Sequence, residues 1–356
     1  MTAALTLAAE HDLAGRHDDA INALARATQA GDLDAMTELG KRLIVGDKGP
    51  LLPKDGAGLL FDAFKGGNAE AALKLATLTA LGAHVEQSWP GALAFLVFAA
   101  QCGSESARGQ LRALAGTAAD ADAGAGDQHW LTLGQRIDIE YWMTAPPGQT
   151  LCADPLVRVH RDFVPDAACE WLIERARPNL KRALIYDPVG GKDIADHMRT
   201  NSAAGFDLMQ ADVVQAAVQC RMSAAVGVSV HQMEGPTVLH YAKGEEITNH
   251  YDFVNPRIPN YATEIAQRGQ RIVTFLVYLN DDYEGGETAF PSLGLRYHGA
   301  KGQGLFFTNA LRNGEPDLRM VHAGLPPKDN EKWIMSQFIR NRIVLGARAE
   351  NQAPDR

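Results

Sequence analysis

Gly31, Gly67 and Gly103 stand 36 residues apart. The same step carries Ala35 to Ala71 to Ala107, Leu39 to Leu75 to Leu111, Leu24 to Leu60 to Leu96, and Ala27 to Ala63 to Ala99. Five registers in phase over three copies restrict the first third of the chain to a stack of like units. Each unit reads as a helix ending in a small-residue turn (Gln29-Ala-Gly-Asp, Lys65-Gly-Gly-Asn, Gln101-Cys-Gly-Ser), then a second helix. Glycine at such a turn takes the left-handed conformation at little steric cost. The alanines and leucines let neighbouring helices approach closely, so stacked units share one core. The expectation is a helical solenoid over 1–128, including a linker over 116–128, where the residues turn small, polar and aperiodic. A repeat of this kind carries no chemistry; it either docks a partner or braces the next domain.

The rest of the 356 residues changes character. Residues 129–154 read as a connecting segment, 155–345 as one domain and 346–356 as a tail. Pro155–His160 alternates like a strand. Pro165–Ala176 and Asp207–Val226 have helical spacing, the first stopped by Pro178. From Thr237 onward come short strands broken by Gly, Asn and Asp: Thr237–Tyr241, Ile247–Phe253, Arg271–Asn280, Gly304–Thr308, Arg319–Leu325 and Lys332–Arg340. The fold class expected is α+β multidomain: a helical repeat followed by a double-stranded β-helix (jelly roll) with supporting helices.

Composition excludes several functions. An apolar content of 46% and a charged content of 22% suit a globular protein. A net charge of −9 argues against broad binding to nucleic acid or anionic membranes. The longest strongly apolar run, Ala92–Ala100, falls far short of the ~20 residues a membrane span needs. The first residues lack the basic region of a signal peptide. Four widely spaced cysteines suit a reducing compartment, so the expected location is cytoplasmic.

The chemistry is concentrated in Ile247-Thr-Asn-His-Tyr-Asp-Phe253. On a strand, His250 and Asp252 share a face. With a distant second histidine they would make the facial triad used by non-haem Fe(II). His322, in Met320-Val-His322, supplies the candidate. Lys332 follows across the turn Pro327-Lys-Asp-Asn330, and a hairpin of that form would put His322 and Lys332 on neighbouring strands. A dicarboxylate could then chelate the metal at one end and meet the ammonium at the other. Gly285-Gly286 reads as a turn or bulge.

From about Asp154 to Arg342 the chain resembles the prolyl 4-hydroxylase family of Fe(II)/2-oxoglutarate dioxygenases. The motifs occur in family order. They are Arg199-Thr-Asn-Ser202; Val238-Leu-His-Tyr241 with Gly244 and His250-Tyr-Asp252; Arg271-Ile-Val-Thr-Phe-Leu-Val-Tyr-Leu-Asn-Asp281; Gly285-Gly-Glu-Thr-Ala-Phe-Pro291; and His322-Ala-Gly-Leu-Pro326 with Lys332-Trp333. Residues 10–116 resemble Sel1-like repeats, relatives of the tetratricopeptide class. The resemblance implies that His250, Asp252 and His322 bind Fe(II), that Lys332 binds the distal carboxylate of 2-oxoglutarate, that Tyr241 and Thr274 line the cosubstrate pocket, and that Arg199 serves the substrate side. It implies O₂ as co-reactant and ascorbate as a supporting reductant. Related halogenases lack the carboxylate, so Asp252 favours hydroxylation. Asn201 stands where serine is commoner, and His240 where arginine is frequent. The expected substrate is a prolyl residue in a peptide or protein. A free amino acid or other small molecule, a non-catalytic adaptor with a degenerate jelly-roll sensor, and a Zn or Mn hydrolase or isomerase are the alternatives. No nucleic-acid or membrane partner is expected, and a protein partner could dock on the repeats.

Overall fold

The computed structural model describes residues 2–117, 126–187, 192–194 and 198–344. Most of the expected linker and the whole 346–356 tail lie outside the described residues. Among the described residues two compact units emerge, one from the region up to Ile139 with Leu208–Ala216, the other from Glu140–Asp207 and 217–344.

The first unit is built of α1 (Ala3–Leu13), α2 (His17–Gln29), α3 (Leu33–Val45), α4 (Pro53–Lys65), α5 (Ala69–Leu81), α6 (Trp89–Gln101), α7 (Glu105–Ala115) and α8 (Asp127–Arg136). Helix starts keep the repeat: 17, 53 and 89, then 33, 69 and 105. The turn glycines have φ of +87°, +97° and +90°. Each is followed by a cap, and Asp32, Asn68 and Ser104 accept from the backbone N–H of Ala35, Ala71 and Ala107 at 3.0, 2.9 and 3.3 Å. A polar cap satisfies an N–H that the helix itself leaves unpaired. The alanines behind the caps and Leu24, Leu60 and Leu96 are all fully buried. Trp130, in a segment read as connecting chain, is buried on α8. One close helix crossing is glycine on glycine: a Cβ on Gly56 of α4 would lie 2.6 Å from the Gly40 carbonyl oxygen of α3.

The second unit opens with α9 (Ile139–Met143), β1 (Gly148–Ala153), β2 (Leu156–His160) and α10 (Asp166–Ala176). Then come β3 (Lys181–Arg182), β4 (Ile185–Asp187), β5 (Lys192–Ile194) and β6 (Ser202–Gly205), followed by α11 (Val213–Val226), whose first turn belongs to the first unit and the rest to the second. The remainder is β7 (Thr237–Tyr241), β8 (Ile247–His250), α12 (Pro259–Arg268), β9 (Arg271–Tyr278), β10 (Thr288–Phe290), β11 (Leu295–Tyr297), β12 (Gly304–Thr308), β13 (His322–Gly324) and β14 (Lys332–Arg340). An eight-stranded sheet runs β1-β2-β12-β9-β14-β7-β6-β3, and a four-stranded sheet runs β11-β10-β13-β8. Leu276, Phe307 and Ile334 of the large sheet meet Phe290 of the small one in one buried cluster, which is the sandwich core. This is the expected jelly roll. α11 starts at Val213 rather than Asp207 because the Asp212 carboxylate caps it, accepting from Gln215 N at 2.9 Å. Among the described residues, no helix is long and apolar enough to cross a membrane.

The structure overturns the expected hairpin. His322 and Lys332 are not on neighbouring strands of a hairpin: β13 pairs with β8 and β10, β14 with β7 and β9. The connection between them crosses from one sheet to the other. Its backbone groups bond to the loop before β10 instead of to each other, with Leu325 N on Glu287 O (2.9 Å), Gly286 N on Pro326 O (3.1 Å) and Lys328 N on Glu284 O (2.8 Å).

The glycine crossing yields a test of the repeat packing. Gly56→Ala is expected to lower stability by about 1–3 kcal/mol, the usual cost of overpacking. Gly58→Ala, on the same helix with nothing within 4 Å, should be neutral or stabilising by up to ~1 kcal/mol. Equal denaturation midpoints for the two variants would contradict the crossing.

Candidate functional site

β8 and β13 are antiparallel neighbours with His250 opposite His322. Their ring centroids are 4.2 Å apart. β8 ends at His250, and Asp252 lies just past it. Its Oδ1 is 3.5 Å from His250 Nε2, and its Oδ2 is 3.2 Å from His322 Nε2. The three ligand atoms lie within 4.8 Å of one another. Each imidazole is oriented in the same way. His250 Nδ1 bonds the Thr248 carbonyl at 2.8 Å, and His322 Nδ1 bonds the Met320 carbonyl at 3.0 Å. A carbonyl can only accept, so Nδ1 carries a proton and Nε2 is the atom turned to the carboxylate, where a metal would displace any proton it holds. Hydrogen bonds of this sort, on the ring nitrogen away from the metal, hold metal-binding histidines in register.

Burial alone would raise the Asp252 carboxyl. The charge of His322 and hydrogen bonds from both imidazoles reverse this and hold it well below the ordinary carboxylate range. His322 is the mirror case: burial lowers it, and Asp252 more than offsets that. Two imidazole nitrogens and a carboxylate converging on one point, with their outer atoms already satisfied, fit Fe(II) well. A divalent cation would take the place of the proton that the cluster otherwise shares.

Thr274 sits elsewhere than the resemblance implied. It is buried behind Asp252, donating to Oδ2 at 2.7 Å and accepting from Asn309 Nδ2 at 2.8 Å. It is not among the residues that line the cavity. The alternation that turns Thr274 inward on β9 does not show that Asp252 covers it.

Lys332 is fully buried on β14, opposite Tyr241 of β7. Its Nζ donates to the Gly286 carbonyl at 2.5 Å and lies 4.9 Å from the centre of the Tyr241 ring. Among the described residues no carboxylate lies within ion-pair distance. Gly286 (φ +66°) is needed here, because a Cβ would lie 2.8 Å from the Tyr283 ring and 3.2 Å from Lys332 Cδ. Tyr241 reaches across the sandwich toward Gly324, where an added Cβ would lie 3.2 Å from its hydroxyl. Burial raises that hydroxyl's pKa.

Arg199 bridges Ile247 by its backbone, and its Nε donates to the buried Asn201 Oδ1 at 3.3 Å. Asn201 is thus an anchor for Arg199. His240 alternates with Tyr241 and so points away; it bonds Glu331 at 2.9 Å and packs on Trp333. His250, Asp252, His322, Lys332, Tyr241 and Arg199 all open on one cavity of about 1240 Å³. Thr288 also lines it, its hydroxyl bonded to Tyr278 at 2.8 Å. Nothing in the sequence marks Thr288, Tyr278 and Asn309 as neighbours of the site. The first two lie inside quoted motifs, but a hydroxyl on an apolar strand is also an ordinary strand residue.

Residues 236–340, which hold the triad and Lys332, match the 2OG-Fe(II) oxygenase superfamily. The chain is 30% identical over 187 residues to prolyl 4-hydroxylase subunit alpha-1 of Rattus norvegicus, covering 52% of this chain and 34% of that one. It therefore spans about a third of the length of that longer relative. It is 30% identical over 216 residues to probable prolyl 4-hydroxylase 9 of Arabidopsis thaliana, covering 55% of this chain and 72% of the plant protein. The viral collagen prolyl hydroxylase of Paramecium Bursaria Chlorella virus-1, solved with 2OG, aligns with a TM-score of 0.40 at 27% identity over 52% of this chain and 95% of that one. By its match to the superfamily and its coverage of the plant relative, the chain belongs to the prolyl 4-hydroxylase family of 2OG-Fe(II) oxygenases.

Proposed function

We propose that the chain is an Fe(II)- and 2-oxoglutarate-dependent dioxygenase that hydroxylates a prolyl residue in a peptide or protein. The observation that carries this is one cavity holding both a converged His-Asp-His set and a buried ammonium without a carboxylate partner. His250, Asp252 and His322 would hold the metal. Bound Fe(II) would supply the O₂ chemistry that couples decarboxylation of 2-oxoglutarate to insertion of oxygen into a C–H bond. Asp252 keeps a carboxylate where a halogenase would need room for halide, which favours hydroxylation.

Lys332 binds the far carboxylate of 2-oxoglutarate. Burying an unpaired ammonium costs several kcal/mol, so the pocket favours an anion beside Lys332. Tyr241 and Thr288 line the path between Lys332 and the triad. Arg199, anchored by Asn201, faces the substrate side. A cavity of about 1240 Å³ exceeds the ~300–1000 Å³ usual for small ligands. Its rim exposes Tyr251, Met198 and Leu318, which supports a chain-like substrate over a free amino acid. The relatives' names point the same way. On the repeats, Phe61, Phe64, Phe95 and Phe98 form an edge-to-face ladder with Phe61 43% exposed; this supports a partner-docking role there. The four free cysteines suit a cytoplasmic location.

Protein supplied with Fe(II), ascorbate and 2-oxoglutarate should form succinate, and a proline-peptide library should gain one oxygen in mass. Turnover of free amino acids alone would move the substrate to the rival class. His322→Ala is expected to abolish succinate formation. Lys332→Ala should weaken 2-oxoglutarate binding about 10–100-fold, the scale of losing a charge-assisted contact; an unchanged affinity removes Lys332 from the site.

Burial pulls the Lys332 ammonium down to about 7, against a raising influence from Glu287. The dicarboxylate needs the charged form. Its apparent affinity should therefore fall by up to about tenfold per pH unit above about pH 7, and a flat binding profile from about pH 7 to 9 would contradict this role. The same shift works the other way on the ligand-free fold. Between about 7 and the ordinary lysine value the unfolded chain binds the extra proton, so stability rises with pH.

A further inference from the structure

Asn309 follows β12 directly, in the large sheet, and does not line the cavity that holds the triad. Its backbone is held on both sides: N–H to Ile272 O at 2.8 Å, and C=O accepting from Asp317 N at 3.0 Å. Asn309 and Thr274 are each 1% exposed, so neither hydrogen bond between them and Asp252 competes with solvent.

The direction of this chain of bonds follows from what each group can do. As a metal ligand the Asp252 carboxylate is unprotonated and can only accept. Thr274 owns one hydroxyl proton, which the 2.7 Å contact to Asp252 Oδ2 takes up. Thr274 Oγ1 must then accept at its other contact, and Asn309 must present its amide N–H there, as it does at 2.8 Å. Without that amide, the hydroxyl could rotate away from the carboxylate. Asn309 also bears on the second ligand by a separate path. The carboxylate of Asp317, whose N–H it holds, caps the turn at Leu318–Met320, and the Met320 carbonyl orients His322.

We propose that Asn309 is a positioning residue for the metal centre: its side-chain amide locks the Thr274 hydroxyl onto Asp252 and so holds the carboxylate facing both histidine Nε2 atoms. The inference rests on the reading of His250, Asp252 and His322 as metal ligands, and on no property of the cavity or the substrate. Removing an outer-shell partner of a metal ligand typically weakens metal binding about 10–100-fold.

Asn309→Asp tests it with almost no change of shape. A carboxylate at 309 accepts, draws the Thr274 proton toward itself and reverses the relay. Co(II) is the probe, titrated into the full chain anaerobically and followed by its visible d–d absorption. Asn309→Asp is expected to weaken Co(II) binding about 10–100-fold. Asn309→Ala and Thr274→Val should each weaken it too, and the Asn309→Ala/Thr274→Val double variant no more than Thr274→Val alone, because the amide acts only through the hydroxyl. Thr274→Ser should restore near wild-type affinity, since it keeps the donor. Additive losses in the double variant, or wild-type affinity in Asn309→Asp, overturn the relay. If Asn309→Asp does not fold, the alanine and valine cycle decides alone. A wild-type chain that takes up no Co(II), or one whose His322→Ala variant binds it equally well, overturns the triad reading itself and the relay with it.

Discussion

The Asp252 carboxylate joins the two sheets of the sandwich. It lies past the end of β8 in the small sheet, meets His322 from β13 in that same sheet, and takes a hydrogen bond from Thr274 on β9 in the large one. A charge this deeply buried is stable only when paired and hydrogen-bonded. Imidazoles on one side and a hydroxyl on the other meet that demand. The arrangement that a metal needs, a carboxylate beside two imidazole Nε2 atoms, is therefore built into the packing of the fold. Position follows from the same contacts: moving either sheet breaks bonds on both sides of Asp252.

Lys332 is the complementary case, a buried amine with no carboxylate within ion-pair distance among the described residues. Its only polar partner among the described hydrogen bonds is the Gly286 carbonyl. The double glycine before β10 makes this possible, since residue 286 needs both a positive φ and the absence of a side chain. The loop carrying those glycines is bonded to the connection between β13 and β14. One set of backbone hydrogen bonds thus routes the chain from the ligand strand to the lysine strand and also supplies the carbonyl that meets the ammonium.

Much of this was legible beforehand. The repeat registers predicted helix starts and turn glycines, because a residue facing a like neighbour in every unit meets the same steric demand. Strands β7, β12 and β14 have the expected bounds, being long enough, or regular enough, to show alternation. β10 and β11 have three residues each, too few for a period-two pattern. α12 follows Pro256 in a polar stretch and was not read as a helix. Its Glu264 pairs with Arg340, a contact between residues far apart in the chain. Thr274 was expected at a pocket wall and is found beneath a ligand, because facing inward does not reveal what stands in front.

By itself the sequence determined the order of the two architectures, the identity of His250, Asp252, His322 and Lys332, and the family to which their spacing points. These are properties of local pattern: periodicity, turn chemistry, and residue types at fixed intervals. Only the tertiary structure decided that His322 and Lys332 stand in different sheets, that Thr274 and Asn309 back the carboxylate, and that the ammonium is left unpaired. Each of those depends on which backbone groups a loop bonds and which side chain covers another. Such pairings join residues from 22 to 46 positions apart, and no periodicity along the chain records them.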